Sequence, residues 1–403
     1  MTQRILVIGA GFAGMWSALA SARLLNIAGC TDVEIALIAP KPDLEIRPRL
    51  YEKNPGELKA QLQDIFEAVD IKFIQGFVEQ INVESQQVSI VGTGSDVSRR
   101  SISYDRLVLA AGSRLFCPEI PGLEQHSFNV DQIKDAIELE THIFNLASRP
   151  SSDRRNTVVV AGAGFTGIET AAELPERLRN ILGKDTAVNV TLVDRNTEIG
   201  ADLGPGPRPV IIQALTELGV TWKLGSGVSM VDAQGVTLEN GERIEADTVI
   251  WTAGARASKL TAQIPAETDS FGRLHVGSNL KVKGVNNVFA TGDCAYAATD
   301  TEGNYAKMSC QHAMNLGRSA GHNVAADLIG EAPIPYSQPQ YVTCLDLGPW
   351  GAVYTEGWNR EVKLTGALAK NLKTKINTEW IYPPSADREE IFTAADPLRI
   401  VVA

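Results

Sequence analysis

Residues 6–14 read LVIGAGFAG and residues 159–167 read VVAGAGFTG. Each is an apolar, β-branched run followed by G-x-G-x-x-G and an Ala-rich helical pattern, and the copies lie 153 residues apart. A dinucleotide diphosphate needs backbone N–H donors with no side chain in the way, and this spacing offers them at a strand-to-helix turn. Gly9 and Gly162 permit the tight turn, Gly11 and Gly164 admit the phosphates, and Gly14 and Gly167 let helix and strand pack closely. Ala10, Phe12 and Ala13, and in the second copy Phe165 and Thr166, lie along the same backbone path. The helix after each loop points its positive end at the anion. One copy alone is also what a glycine-rich turn in a ligand-free sheet protein looks like. Two copies, each between strand and helix, imply two dinucleotides on one polypeptide and hydride traffic between them.

The fingerprint has an acidic member on the second strand, which bonds the ribose hydroxyls. In the second copy the run VNVTLVD ends at Asp194, 32 residues after Gly162. A carboxylate there repels a 2′-phosphate, so NADH is expected rather than NADPH, although Arg195 follows directly. In the first copy VEIALIA ends at Ala39, with Pro40 and Lys41 next. The ribose there must be held by backbone, water or a neighbouring side chain.

The elements that position these loops follow from the pattern. Buried strands with glycine turns recur at residues 104–114 (YDRLVLAAGSR), 247–257 (DTVIWTAGARA) and 288–297 (VFATGDCAYA). The first two end in Ala-Gly, at Ala111-Gly112 and Ala253-Gly254, where the chain crosses close to a cofactor. The segment at 288–297 resembles a pattern of two-dinucleotide flavoproteins that returns to the first loop. This implies the expected fold class: α/β, two Rossmann-like dinucleotide-binding domains, the second inserted into a discontinuous first, plus a small C-terminal α+β cap. The boundaries read as 1–120 with 266–335, then 121–265, then 336–403. Residues 150–156 (PSSDRRN) read as a polar linker and residues 200–209 (GADLGPGPRP) as a Gly/Pro connector.

With these motifs in place, the chain resembles the FAD/NAD(P)-binding pyridine nucleotide oxidoreductases, and among them the type II NADH dehydrogenases. The similarity runs over residues 1–355. It is carried by GAGFAG, LYE at 50–52, AAGS, PGL at 121–123, GAGFTGIETAAEL, WTAG, ATGDC and the segment SCQHAMNLGRSAGHNVAADL at 309–328. The resemblance implies non-covalent FAD at the first loop, with Gly292 and Asp293 at its ribityl chain and Ala39, Arg47 and Val78 completing its site. NADH belongs to the second loop, delivers hydride to flavin N5, and has Glu169 at its nicotinamide end. A helix starting at Ser309 would direct its N-terminus at the reduced flavin.

The resemblance also implies an acceptor side. The family's A-Q-x-x-A-x-Q-like segment meets quinone at this point. Here Gln311 and Ala313 match, while Cys310 and Asn315 depart. His312 is a candidate proton source. The leading expectation is two-electron reduction of a quinone or quinone-like small molecule. A soluble NAD(P)H-dependent flavin reductase or biosynthetic flavoenzyme with another acceptor, and a redox-sensing flavoprotein acting through partner binding, are the alternatives.

Composition sets the remaining bounds. The 403 residues are 44% hydrophobic and 21% charged, with a net charge of −11. That charge argues against nucleic acid as a partner. No stretch approaches the ~20 apolar residues of a membrane span, and a cleavable leader at the N-terminus would remove the first loop. The five cysteines are scattered, without the close pair of a disulfide reductase, which fits a reducing cytosol. Cys344 sits in a context similar to one cysteine of sulfide:quinone oxidoreductases, but its partner ahead of the second loop is missing. No metal site is expected. In residues 364–384, Leu364, Leu368, Leu372 and Ile376 read as one thin helical stripe flanked by Lys370, Lys373 and Lys375. Such a stripe suits a docked helix or weak, peripheral contact with the inner membrane face. The expected location is cytoplasmic, and the C-terminal cap could also carry a homodimer contact.

Overall fold

A computed structural model describes residues 2–93 and 98–399. The strand Gln3–Ile8 is buried from Ile5 onward, as a central parallel strand covered on both faces must be. It pairs in parallel with Val33–Ala39 on one side and Arg106–Leu109 on the other. Lys72–Gln75 extends the sheet at one end and Val288–Ala290 at the other. Helix α1 (Phe12–Ile27) follows the first strand. A second sheet repeats the plan. Thr157–Ala161 lies between Asn189–Asp194 and Thr248–Trp251, with Val220–Leu224 outermost, all parallel. Helix α2 (Phe165–Leu182) follows its first strand. In each sheet the first strand has its second strand on one side and its fourth on the other. The crevice at its carboxyl end is therefore the topological switch point where ligands bind.

Two short strands after the Ala-Gly turns, Ser113–Leu115 and Ala255–Ala257, pair antiparallel and join the halves. Helix α3 (Cys310–Ile329) packs along α1 at very short range. A Cβ on Gly321 would lie 2.1 Å from the Ser17 carbonyl oxygen. Ser17 and Ser21 close the seam by donating from Oγ to the Gly317 and Gly321 carbonyls at 3.1 and 2.9 Å. This contact ties a late helix to the N-terminal sheet.

The C-terminal strands Val342–Asp346, Ala352–Glu356 and Glu361–Thr365 form an antiparallel meander. Helix α4 (Gly366–Lys375) packs on it and runs into a π-helical turn, Ile376–Trp380. Beyond this the chain returns to α1, where Arg23 pairs with Asp396 at 2.9 Å. Arg318 of α3 donates from Nε to the Ala394 carbonyl at 2.7 Å, its guanidinium 3.8 Å from the Trp16 ring centre.

Three sequence readings change. Leu364 is in a strand, not on the helix, and Leu368 points outward, 69% exposed. Lys373, read as a flanking surface lysine, is buried, because a carboxylate from α2 meets it. Residues 150–156 are a packed turn rather than a free linker: Arg155 and Asn156 are buried, and Arg155 donates to the Arg149 carbonyl at 3.0 Å. The Gly/Pro segment 200–209 abuts the meander, since a Cβ on Gly206 would lie 2.5 Å from the Arg360 carbonyl oxygen.

Candidate functional site

The two glycine loops have the same geometry. A Cβ on Gly14 would lie 1.9 Å from the Gly9 carbonyl oxygen, and one on Gly167 would lie 1.8 Å from that of Gly162. Neither position admits a side chain. Gly11 and Gly164, by contrast, have nothing within 4 Å of a Cβ. Both are helix N-caps without a side-chain cap bond, and neither helix has an acidic residue in its first turn. Each loop is thus an open cradle of backbone donors with a helix end behind it, and the residues present fit a dinucleotide diphosphate at both. The Ala-Gly turns press on these cradles from behind. A Cβ on Gly9 would meet the Ala110 oxygen at 2.4 Å and Ala111 Cα at 3.3 Å, and one on Gly162 would meet Ala253 N at 3.0 Å.

Asp194 ends its strand against the second loop. Its Oδ2 accepts from Ala163 N at 2.6 Å and its Oδ1 from Asn196 N at 2.8 Å. The carboxylate therefore braces the loop. At the first loop Ala39 is buried, its carbonyl accepts from Gly76 N at 3.0 Å, and Gln75 donates to the Pro40 carbonyl at 3.1 Å. Gln75 is the polar side chain at this strand end, and no acidic signal pointed to it. Val78 sits just beyond, half-buried in the strand Phe77–Asn82.

Asp293 enters from the Thr291–Gly292 turn, which is tight against α1: a Cβ on Gly292 would lie 2.7 Å from Ala13 Cβ. Ser113 donates to Asp293 Oδ2 at 2.6 Å, and Arg47 Nη1 lies 3.9 Å from the same atom. Arg47 also forms an ion pair with Asp131 and donates from Nε to its carbonyl at 3.0 Å. Burial raises the Asp293 carboxyl above its usual range, while Arg47 and Ser113 pull it back. Ser113 and Asp131 carried no motif, and only the closing of the two halves reveals them. Cys294 donates to the Gly112 carbonyl at 3.5 Å, and burial pushes its thiol up to about 12, so it is inert.

A buried charge cluster lies between α2, the meander and α4. Glu169 is 3% exposed. Its Oε1 accepts from Lys373 Nζ at 2.9 Å and from Asp346 N at 3.0 Å. Burial lifts the Glu169 carboxyl to about 7 against the pull of Lys373, with Asp346 adding to the rise. Burial opposes the charge on Lys373, but Glu169 outweighs it and holds the ammonium. Asp346 Oδ1 accepts from Lys370 at 2.5 Å, and its Oδ2 from the Tyr51 hydroxyl at 3.2 Å. The Lys373 ammonium lies 5.6 Å from the Phe165 ring centre. Cys310, at the start of α3, feels both Lys373 and Glu169, and burial lifts its thiol to about 11. The cluster therefore borders the α3 N-terminus. Cys344 is buried and donates to the Ala369 carbonyl at 3.7 Å.

Ser309 caps α3, accepting from His312 N at 3.3 Å and bonding His312 Nδ1 at 3.0 Å. His312 is fully buried, with ring centres 5.3 Å from Tyr341 and 6.1 Å from Trp358. Burial pushes its imidazole down to about 3. Burial therefore favours the neutral imidazole of His312, the candidate proton source, and Glu169 also lies near this helix end. Gln311 is buried, and Asn315 accepts from Arg318 Nη1 at 3.3 Å.

The family model for pyridine nucleotide-disulphide oxidoreductases matches residues 3–317, and the chain belongs to that family. It is an NAD(P)H oxidoreductase whose family uses FAD and a nicotinamide dinucleotide. An NADH dehydrogenase-like protein of Mycobacterium tuberculosis is 44% identical over 401 residues, 98% of each chain. A type II NADH:quinone oxidoreductase of Staphylococcus aureus is 25% identical over 397 residues, 94% of this chain and 95% of its own. Among solved structures, NDH2 from Plasmodium falciparum in complex with NADH shares the fold at a TM-score of 0.78 and 14% identity, covering 98% of both chains.

Proposed function

We propose that this protein oxidises NADH through FAD and passes the two electrons to a quinone. The observation that carries the reading is the pair of matching open cradles, at Gly11 and Gly164, on either side of the Ser113–Leu115 and Ala255–Ala257 crossing. In this reading residues 1–120 and 266–335 hold FAD, residues 121–265 hold NADH, and residues 336–403 close the acceptor side. FAD, when bound, supplies a two-electron carrier that takes hydride at N5.

The chain's own residues do the rest. The loops at Gly9–Gly14 and Gly162–Gly167 hold the two diphosphates. Asp194 bonds the NADH ribose hydroxyls and disfavours a 2′-phosphate. Asp293, braced by Ser113 and Arg47, holds the ribityl end. The α3 N-terminus, with Gln311 beside it, stabilises negative charge at the acceptor edge. Glu169, protonated near neutrality at Oε2 while Oε1 accepts from Lys373 and Asp346, supplies the one proton that a quinone takes up along with the two electrons and proton of the NADH hydride to become quinol. The relative from Staphylococcus aureus, a quinone oxidoreductase by its name, supports the choice of acceptor. Among the described residues no helix is long and apolar enough to cross a membrane. The cysteines form no disulfide, which favours a cytoplasmic place. A water-soluble acceptor is the second reading, favoured by α4, where Leu368 is the only large apolar side chain left strongly exposed.

Anaerobic mixing with NADH tests the proposal. The flavin absorbance should bleach at once, and a water-soluble quinone should restore it faster than nitro-aromatic or protein acceptors. Failure to bleach would remove the NADH half of the reading. Equal restoration by every acceptor would remove quinone.

A further inference from the structure

None of the residues lining a cavity of about 370 Å³ is among those assigned above to the dinucleotides or to the Glu169 cluster. Phe271, Arg273, Tyr296, Tyr305, Lys307 and Trp358 form its working walls. The Tyr296 and Tyr305 rings are stacked, 4.2 Å between centres and 3° from parallel. The Arg273 guanidinium lies 4.9 Å from the Tyr296 ring centre and 5.7 Å from that of Phe271. Two of these large rings stand at the rim, Phe271 49% and Tyr305 38% exposed. A monomer interior gains nothing from rings left there, whereas a planar ligand would find faces to stack on.

The charge of the cavity is set by one residue. Asp269 neutralises Arg273 at 2.8 Å and also accepts from Phe271 N and Arg273 N, which uses up its acceptor capacity. Lys307 is exposed and makes no ion pair among the described residues. Trp358 lines the cavity and stacks on Tyr341 with centres 4.6 Å apart, which adds a further aromatic wall. The cavity thus offers aromatic faces and one unneutralised cation.

We propose that this cavity binds a planar aromatic carboxylate of one or two fused rings, as a ligand distinct from both dinucleotides. The ring system lies against the tyrosine stack and Trp358, and the carboxylate pairs with Lys307. A cationic ligand would face Lys307 and Arg273 without a free carboxylate to offset them. The volume is near the lower end for small-molecule sites, which suits one such acid and not a nucleotide. Nothing in this inference depends on which acceptor the flavin serves.

Calorimetric titration of the FAD-loaded protein with 2-naphthoate, beside its neutral twin 2-naphthalenemethanol, tests it. Naphthoate should bind saturably and one to one, and the alcohol about tenfold more weakly. Lys307→Gln should weaken naphthoate about tenfold but leave the alcohol unchanged. Tyr305→Ala should weaken both by about tenfold, the scale of one lost stacking contact. Both side chains are at the surface, so flavin content and the rate of bleaching by NADH should match the parent protein. Absence of saturable naphthoate binding would overturn the proposal. So would equal affinity for acid and alcohol, or affinities unmoved in both variants.

Discussion

Replacing Lys373 with methionine keeps the length and apolar stem of the side chain and removes only its ammonium. That ammonium bonds Glu169 Oε1 at 2.9 Å inside a buried cluster. At a charge separation of ~4 Å and an effective dielectric near 20, the lost attraction is about 4 kcal/mol. This is about a thousandfold in the proton affinity of Glu169. Since the carboxyl already sits at about 7, Lys373→Met should leave it protonated across the neutral range. Stopped-flow reoxidation of the reduced protein by quinone, followed from pH 5.5 to 8.5, should show an inflection near about 7 in the parent. In Lys373→Met the profile should be flat and the rate lower, with Lys373→Arg restoring an inflection.

The same group makes a second, thermodynamic prediction. Its folded value of about 7 lies above the ordinary 4.5. The stability it contributes is therefore complete below 4.5 and lost as pH rises towards 7, about 3 kcal/mol in all. That component should be missing from a Glu169→Gln/Lys373→Met double variant in urea unfolding at a series of pH values. An unshifted inflection in Lys373→Met would refute the assignment of the titrating group, whatever the rate.

Gly14→Ala should yield colourless protein that does not take up added FAD, because its Cβ would lie 1.9 Å from the Gly9 carbonyl oxygen; flavin content after gel filtration checks this. Asp194→Asn, which retains an acceptor for Ala163 N, should raise KM for NADH by about 10- to 100-fold and narrow the preference over NADPH, the scale of one charged hydrogen-bonding group; steady-state assays with both nucleotides measure it. Gly321→Ala should destabilise the fold by about 1–3 kcal/mol through overpacking against Ser17, seen as a lower urea midpoint. Gln311→Ala should slow reoxidation by quinone more than reduction by NADH, and equal effects in the two half-reactions would remove it from the acceptor side.

Local sequence was enough for those parts of the site whose geometry is set within one strand–turn–helix unit. The glycine spacing specifies both cradles, because the close contacts of Gly14 and Gly167 are with carbonyls five residues earlier. Asp194 was readable because it ends the strand that must pair beside the loop. The return of Val288–Ala290 to the first sheet was implied by the resemblance of its apolar run and Thr-Gly-Asp to the flavoprotein pattern, not by local sequence alone.

What tertiary structure decided was the state of the charges. Lys373 lies 204 residues from Glu169, and by local pattern a lysine beside a thin apolar stripe belongs in water. Only the docking of α4 against α2 brings the two together, and their mutual pairing is what lets both be buried. Tyr51 and Asp346 join the cluster for the same reason, from two other parts of the chain. His312 reads as a proton donor by residue type. Tyr341 and Trp358 enclose it, and that enclosure makes it neutral. Backbone conformation follows from neighbours along the chain, whereas protonation follows from neighbours in space, and no spacing along the sequence encodes the dielectric that those neighbours create.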